Sequence, residues 1–111
     1  MTKFLVLYNA DSSAREQMAR ATPEQQQAGM DAWMQWAQKA GPALVDLGAP
    51  VQPAVRVTAG GDTANTCPAS GYSVLEADSE QAARGLLDSH PHLTMPGASI
   101  DVFEALPVPG M

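Results

Sequence analysis

The stretch Lys3-Phe-Leu-Val-Leu-Tyr-Asn9, KFLVLYN, decides the reading of this 111-residue chain. It is apolar at every position from Phe4 to Tyr8, so alternation cannot assign one face to the core and the other to water. A strand of this kind belongs at the centre of a sheet covered on both faces. The other elements follow from that requirement. Thr22, Pro23 and Gln25 supply a cap, a first-turn proline and the third-position glutamine of a capping box. They predict a helix from Pro23 to about Ala40, stopped by Gly41 and Pro42. Gly29, Trp33, Trp36, Ala37 and Ala40 share one stripe of that helix, with Met30 and Met34 beside it. The segment before it, ADSSAREQMARA, reads as a loop.

Further along, ALVDL and AVRVTA are short β-rich runs parted by Pro50 and Pro53, and GGDTANTCPAS reads as loop or hairpin tip. GYSVLEA alternates Tyr72, Val74 and Glu76 against Ser73, Leu75 and Ala77, the periodicity of a strand with one better-buried face. Asp78, three residues before Gln81, predicts the cap of a second helix with Ala82, Ala83, Leu86 and Leu87 on its apolar stripe. Pro91 ends that helix at about Ser89, and ASIDVFEAL reads as the last strand, followed by the tail PVPGM. The order β-α-β-β-α-β is an α+β arrangement, the ferredoxin-like split βαβ, in one domain over residues 1–111. Two helices cover one sheet face only, and KFLVLYN is apolar on both. The expected remedy is a homodimer with the two sheets face to face, a dimeric α+β barrel.

Composition narrows the partners. Six basic against twelve acidic residues give a net charge of −6, with no basic stripe for nucleic acid or an anionic membrane surface. No apolar run approaches the about 20 residues of a membrane span, and FLVLY is shorter than the core of a signal peptide. The single cysteine, Cys67, excludes an internal disulfide and fits a reducing compartment. The expectation is a cytoplasmic protein without cofactor.

KFLVLYN, the AG before LVDLGAP, the passage GYSVLEADSEQAA and the HPHL before the last strand together resemble the YCII-related family, small dimeric α+β-barrel proteins. The likeness spans nearly the whole chain, and PVPGM is similar to the ending of a subgroup. It implies the same fold and dimer. For some members it implies enzymes acting on small organic molecules, of dehydrochlorinase or lactone-isomerase-like kind, through a helical histidine and an aspartate. Here the helical position falls at about Met30, and the family's Asp-Pro before the last strand reads His90-Pro91.

The only histidines, His90 and His92, are therefore the candidate catalytic residues, since imidazole titrates near about 6.5. His90 also fits a bland role as a cation at a helix C-terminus. A metal needs three or four ligands, and nothing in the spacing around Asp88, His90, His92 and Asp101 demands one. Tyr8, Met30, Trp33, Asp46 and Tyr72 are the candidate lining of a pocket between helix and sheet, although a Trp stripe is more often simply core. Cys67 reads as an exposed bystander. The leading expectation is a homodimer whose pocket holds a small organic molecule. The alternative is a lyase or isomerase with His92 as general acid or base. A purely structural dimeric module is the third reading.

Overall fold

The structure, a computed structural model, describes residues 1–12 and 14–110. Ser13 and Met111, which fall in the expected loop and tail, lie outside the described residues. Strand β1 (Thr2–Asn9) is central, antiparallel to β5 (Ala69–Ala77) on one side and to β6 (Ser99–Glu104) on the other. β2 (Leu44–Asp46) pairs with the far edge of β5, giving the order β2-β5-β1-β6. Helix α2 (Pro23–Ala40) connects β1 to β2, and α3 (Glu80–Leu86) connects β5 to β6. This is the ferredoxin-like α+β topology.

Register sorts the sheet into two faces. Phe4 stands opposite Leu75, Val6 opposite Ser73 and Tyr8 beside Ile100. With Ala77, these residues meet Trp36, Ala40, Ala83 and Leu87 from the helical layer in one core. Each large side chain enclosed there contributes about 1.5–3 kcal/mol by leaving water. The other face carries Leu5, Leu7, Tyr72, Val74 and Phe103, and among the described residues the helical side chains of the core pack on the first face. Leu5 is 40% and Phe103 51% exposed.

The helix over residues 23–40 is started by the expected capping box. The Gln25 amide donates to Thr22 Oγ1 at 3.1 Å, and the Thr22 amide donates to Gln25 Oε1 at 2.9 Å. Four local expectations change. The segment read as a loop contains a short helix, α1 (Ala14–Arg20), built from good helix formers and closed by Arg20 in its last turn. The stretch GGDTANTCPAS contributes a strand, β4 (Gly61–Thr63), which pairs with β3 (Arg56–Thr58) as a separate hairpin. The α3 cap is Ser79, not Asp78. β5 runs on through Ala77, so the chain turns one residue later, and Ser79 Oγ accepts from the Ala82 amide at 3.1 Å.

The fourth change concerns SHPHL. α3 ends at Leu86, and Ser89 at φ 60° turns the chain. His90 is extended, as the residue before a proline must be, and it caps a new 3₁₀ turn, Pro91–Thr94. The proline thus opens an element where the sequence suggested a stop. His90 is not a cation at a helix C-terminus but a fully buried N-cap.

Glycine is required at two turns. At Gly48, φ is 79° and a Cβ would lie 1.8 Å from the Tyr72 carbonyl oxygen. At Gly97, φ is 76° and a Cβ would lie 2.2 Å from Asp11 Oδ2.

Candidate functional site

β1 delivers Tyr8 to the helical side of the sheet, β5 delivers Ser73, α2 delivers Trp33 and Trp36 three residues apart, and the 3₁₀ turn delivers both histidines. They form one aromatic cluster around His90. Its ring centroid lies 4.4 Å from Trp36, 4.6 Å from Trp33 and 4.9 Å from Tyr8, the two tryptophans edge-on. His92 lies 5.3 Å from Tyr8, and Tyr8 lies 4.8 Å from Trp33. The Trp36 indole N–H donates to the Leu86 carbonyl at 2.8 Å, tying α2 to the end of α3.

Hydrogen bonds fix the protonation pattern. The Tyr8 hydroxyl donates to Ser73 Oγ at 2.8 Å, and Ser73 donates to the Leu47 carbonyl at 2.6 Å. His92 Nε2 faces the Asn9 carbonyl at 2.8 Å, so Nε2 carries the proton. His90 Nδ1 accepts the His92 backbone N–H at 3.0 Å, so neutral His90 has its proton on Nε2. That buried Nε2 has no hydrogen-bond partner among the described residues. Burial first, and the neighbouring His92 second, push the His90 pKa down to about 4. Burial likewise pushes the Tyr8 phenol up to about 12, against the opposing effect of its bond to Ser73. Near neutral pH both groups are uncharged.

The space between helix and sheet, where a pocket was expected, is filled by these rings. Of the five expected lining residues only Tyr8 and Trp33 are brought together. Tyr8 is buried on the helical face, whereas Tyr72, beside Leu7, belongs to the opposite face. Trp33 packs edge-on against Tyr8, Met30 is 59% exposed, and Asp46 is an exposed residue whose carboxylate accepts the Gly48 amide at 2.8 Å.

Two open clefts flank the cluster. One, of about 660 Å³, follows the end of β1, lined by Ala10, Asp11 and Ser12, by Glu16, Gln17 and Arg20 of α1, by Ala21 and Gln25, and by Met95 and Pro96. The other, of about 350 Å³, lies between α2 and the 3₁₀ turn, with Gln35, Trp36, Lys39, Asp88 and Ser89 among its lining. His90 and His92 line neither. Asn9 joins the cluster to the edge strand, its side-chain amide donating to Asp101 Oδ2 at 2.8 Å. No group of three or more His, Cys, Asp or Glu side chains that could hold a metal occurs among the described residues. Cys67 is exposed.

Sequence reasoning missed Ser73, Asn9 and the α1 wall of the larger cleft. Ser73 left a signal, since a hydroxyl in register with Leu75 and Ala77 on the buried face needs polar partners. Asn9 meets His92 through its backbone carbonyl, which no residue type announces.

Fold and site together define a small α+β protein with a packed imidazole–aromatic cluster and a flanking cleft. Among solved structures, the chain is similar to 5-chloro-2-hydroxyhydroquinone dehydrochlorinase from Burkholderia phenoliruptrix in complex with 2,5-dihydroxybenzoquinone. The identity is 12%, the match covers 91% of each chain, and the TM-score is 0.48. A likeness of this degree bears on neither the substrate nor the chemistry of the present chain. No family model matches the sequence, and no curated protein does.

Proposed function

We propose that this chain is a homodimeric small-molecule-binding protein of the YCII-like type, with its ligand in the cleft at the end of β1. The cleft carries the reading. At about 660 Å³ it is within the roughly 300–1,000 Å³ of small-molecule sites, and it combines the charged and polar Asp11, Ser12, Glu16, Gln17, Arg20 and Gln25 with the apolar Ala10, Ala21, Met95 and Pro96. The ligand class that fits is a small organic molecule with a neutral, hydroxylated edge for the mixed charges and amides of this lining. The homodimer draws on the uncovered face carrying Leu5, Leu7, Tyr72, Val74 and Phe103. No described helix is long and apolar enough to cross a membrane, and the cytoplasm as its compartment is part of the proposal.

The test is a fragment screen read by amide chemical shifts on the ¹⁵N-labelled protein. Shifts clustering at Ala10, Asp11, Gln17, Ala21 and Gln25, and weakened by Arg20→Ala, are expected. Ligands that leave these amides unmoved and gather elsewhere would overturn the assignment of the cleft.

The second reading is a lyase or isomerase with His92 as general acid or base. It draws on the concentration of two imidazoles and a phenol in one cluster. It requires His92 to exchange its bond with the Asn9 carbonyl for one to substrate. His92→Asn separates the two readings. Under the binding reading it leaves the affinity of a cleft ligand unchanged. Under the enzyme reading it abolishes turnover of that ligand.

A further inference from the structure

Residues 90–96 lie between two left-handed turns, Ser89 at φ 60° and Gly97 at φ 76°. Within the segment the Leu93 amide donates to the His90 carbonyl at 3.0 Å, the Met95 amide to the His92 carbonyl at 3.3 Å and the Thr94 hydroxyl to the Pro91 carbonyl at 2.7 Å. It is a strap that bonds largely to itself. Leu93 and Thr94 on its outer side are exposed, whereas His90 and His92 are buried, His90 among Trp33, Trp36 and Tyr8 and His92 against the Asn9 carbonyl. The strap also walls both clefts. Met95 and Pro96 line the larger, and Pro91 and Thr94 line the smaller.

His90 can hold the strap only while neutral. Its Nδ1 caps the turn by accepting the His92 amide, and protonation puts a hydrogen on that nitrogen, leaving two donors facing each other. Its Nε2, buried and without a partner among the described residues, offers the new charge no acceptor. The surroundings do not compensate. β1 faces the ring with the Tyr8 phenol, whose pKa of about 12 keeps it neutral, α2 with Trp33 and Trp36, and the strap itself with His92, while α3 leads into it through the Leu87 carbonyl. Lys39 of α2 and Asp88 lie outside in the smaller cleft, and Asp88 is exposed and paired with Arg84. His92 behaves differently, because its Nε2–H bond to the Asn9 carbonyl survives protonation.

We infer that residues 90–96 are an acid-sensitive strap: protonation of His90 frees it to swing on Ser89 and Gly97, and both clefts lose a wall. That this regulates a ligand rests on the cleft reading above, whereas release of the strap does not. Opening exposes His90, so the open form takes up a proton that the closed form refuses. It is therefore favoured as the pH falls from the ordinary 6.5 towards about 4. Openings of this local kind lie below global unfolding in free energy.

Native-state amide hydrogen exchange on the full chain tests it without a ligand, with protection factors at pH 7.5 and pH 5.0 removing the intrinsic pH dependence of exchange. The Leu93 and Met95 amides are expected to be at least about tenfold less protected than the slowest amides of β1 and β5. They should lose about a further 30-fold at pH 5.0, from the proton uptake of His90. In His90→Asn, whose side-chain oxygen can still accept the His92 amide but does not titrate, that loss should vanish. Strap amides as well protected as the strands at both pH values would show that the strap opens only with the whole fold, and would overturn the inference. So would strap protection that is the same at both pH values, an outcome read on the native chain alone, or that falls equally in His90→Asn. A strap that opens as expected, in a protein whose fragments bind away from the larger cleft, keeps the inference and overturns the cleft reading.

Discussion

Protonating His90 should destabilise this protein from the inside, and the effect can be sized. The imidazole is fully buried among Trp33, Trp36 and Tyr8, and its pKa is pushed down to about 4 from an ordinary 6.5. Between those values the unfolded chain takes up a proton that the folded chain refuses, so stability rises with pH. The stabilisation is complete above pH 6.5 and is lost as the pH falls towards 4, at about 1.4 kcal/mol per pH unit. From pH 7.5 to pH 5.0 the loss is about 2 kcal/mol, or a fall of about 1 M in the urea midpoint at a typical slope. The assay is urea unfolding followed by tryptophan fluorescence at fixed protein concentration, comparing the native chain with His90→Asn. Asparagine keeps an acceptor for the His92 amide and does not titrate, so the variant starts less stable but loses about 2 kcal/mol less over the same interval. Parallel pH dependences in the two proteins would refute the reasoning.

Other outcomes follow from single contacts. Tyr8→Phe removes the hydroxyl bonded to Ser73 and should cost about 1 kcal/mol in urea unfolding, whereas Ser73→Ala, which strands both the Tyr8 hydroxyl and the Leu47 carbonyl, should cost more. Trp36→Phe loses the indole bond to the Leu86 carbonyl and leaves a void, for about 2 kcal/mol by the same measurement. Gly48→Ala meets the Tyr72 carbonyl at a left-handed backbone position, and a thermal melt should show more than about 2 kcal/mol lost. Thr22→Ala breaks the capping box of α2 at about 1 kcal/mol, seen as a lower melting temperature with the fold intact.

Local chemistry was legible wherever neighbours in sequence are neighbours in space. The capping box of α2, its stop at Gly41, the continuous apolar run of β1 and the alternation of β5 each depend on residues a few positions apart, and together they yield the split βαβ order. The hairpin strand β4, short and set among glycines, threonines and alanine, lacks that signal, and the α3 cap slipped by one residue because β5 runs on through Ala77. Pro91 was ambiguous in principle, since a proline both ends a helix and opens one, and only the turn at Ser89 selects the second role.

The sequence by itself determined the order of the main-sheet strands and of the two helices that connect them, and the scarcity of titratable groups near neutrality, because these follow from periodicity, capping and composition. The tertiary structure alone decided what His90 and His92 are. It brought Asn9 and His92 together across 83 residues and Tyr8 and Ser73 across 65, closed three aromatic rings around His90, and filled the expected pocket while opening a cleft beside α1. Desolvation and hydrogen bonding depend on which groups meet in space, and separations of that length leave no trace in local pattern.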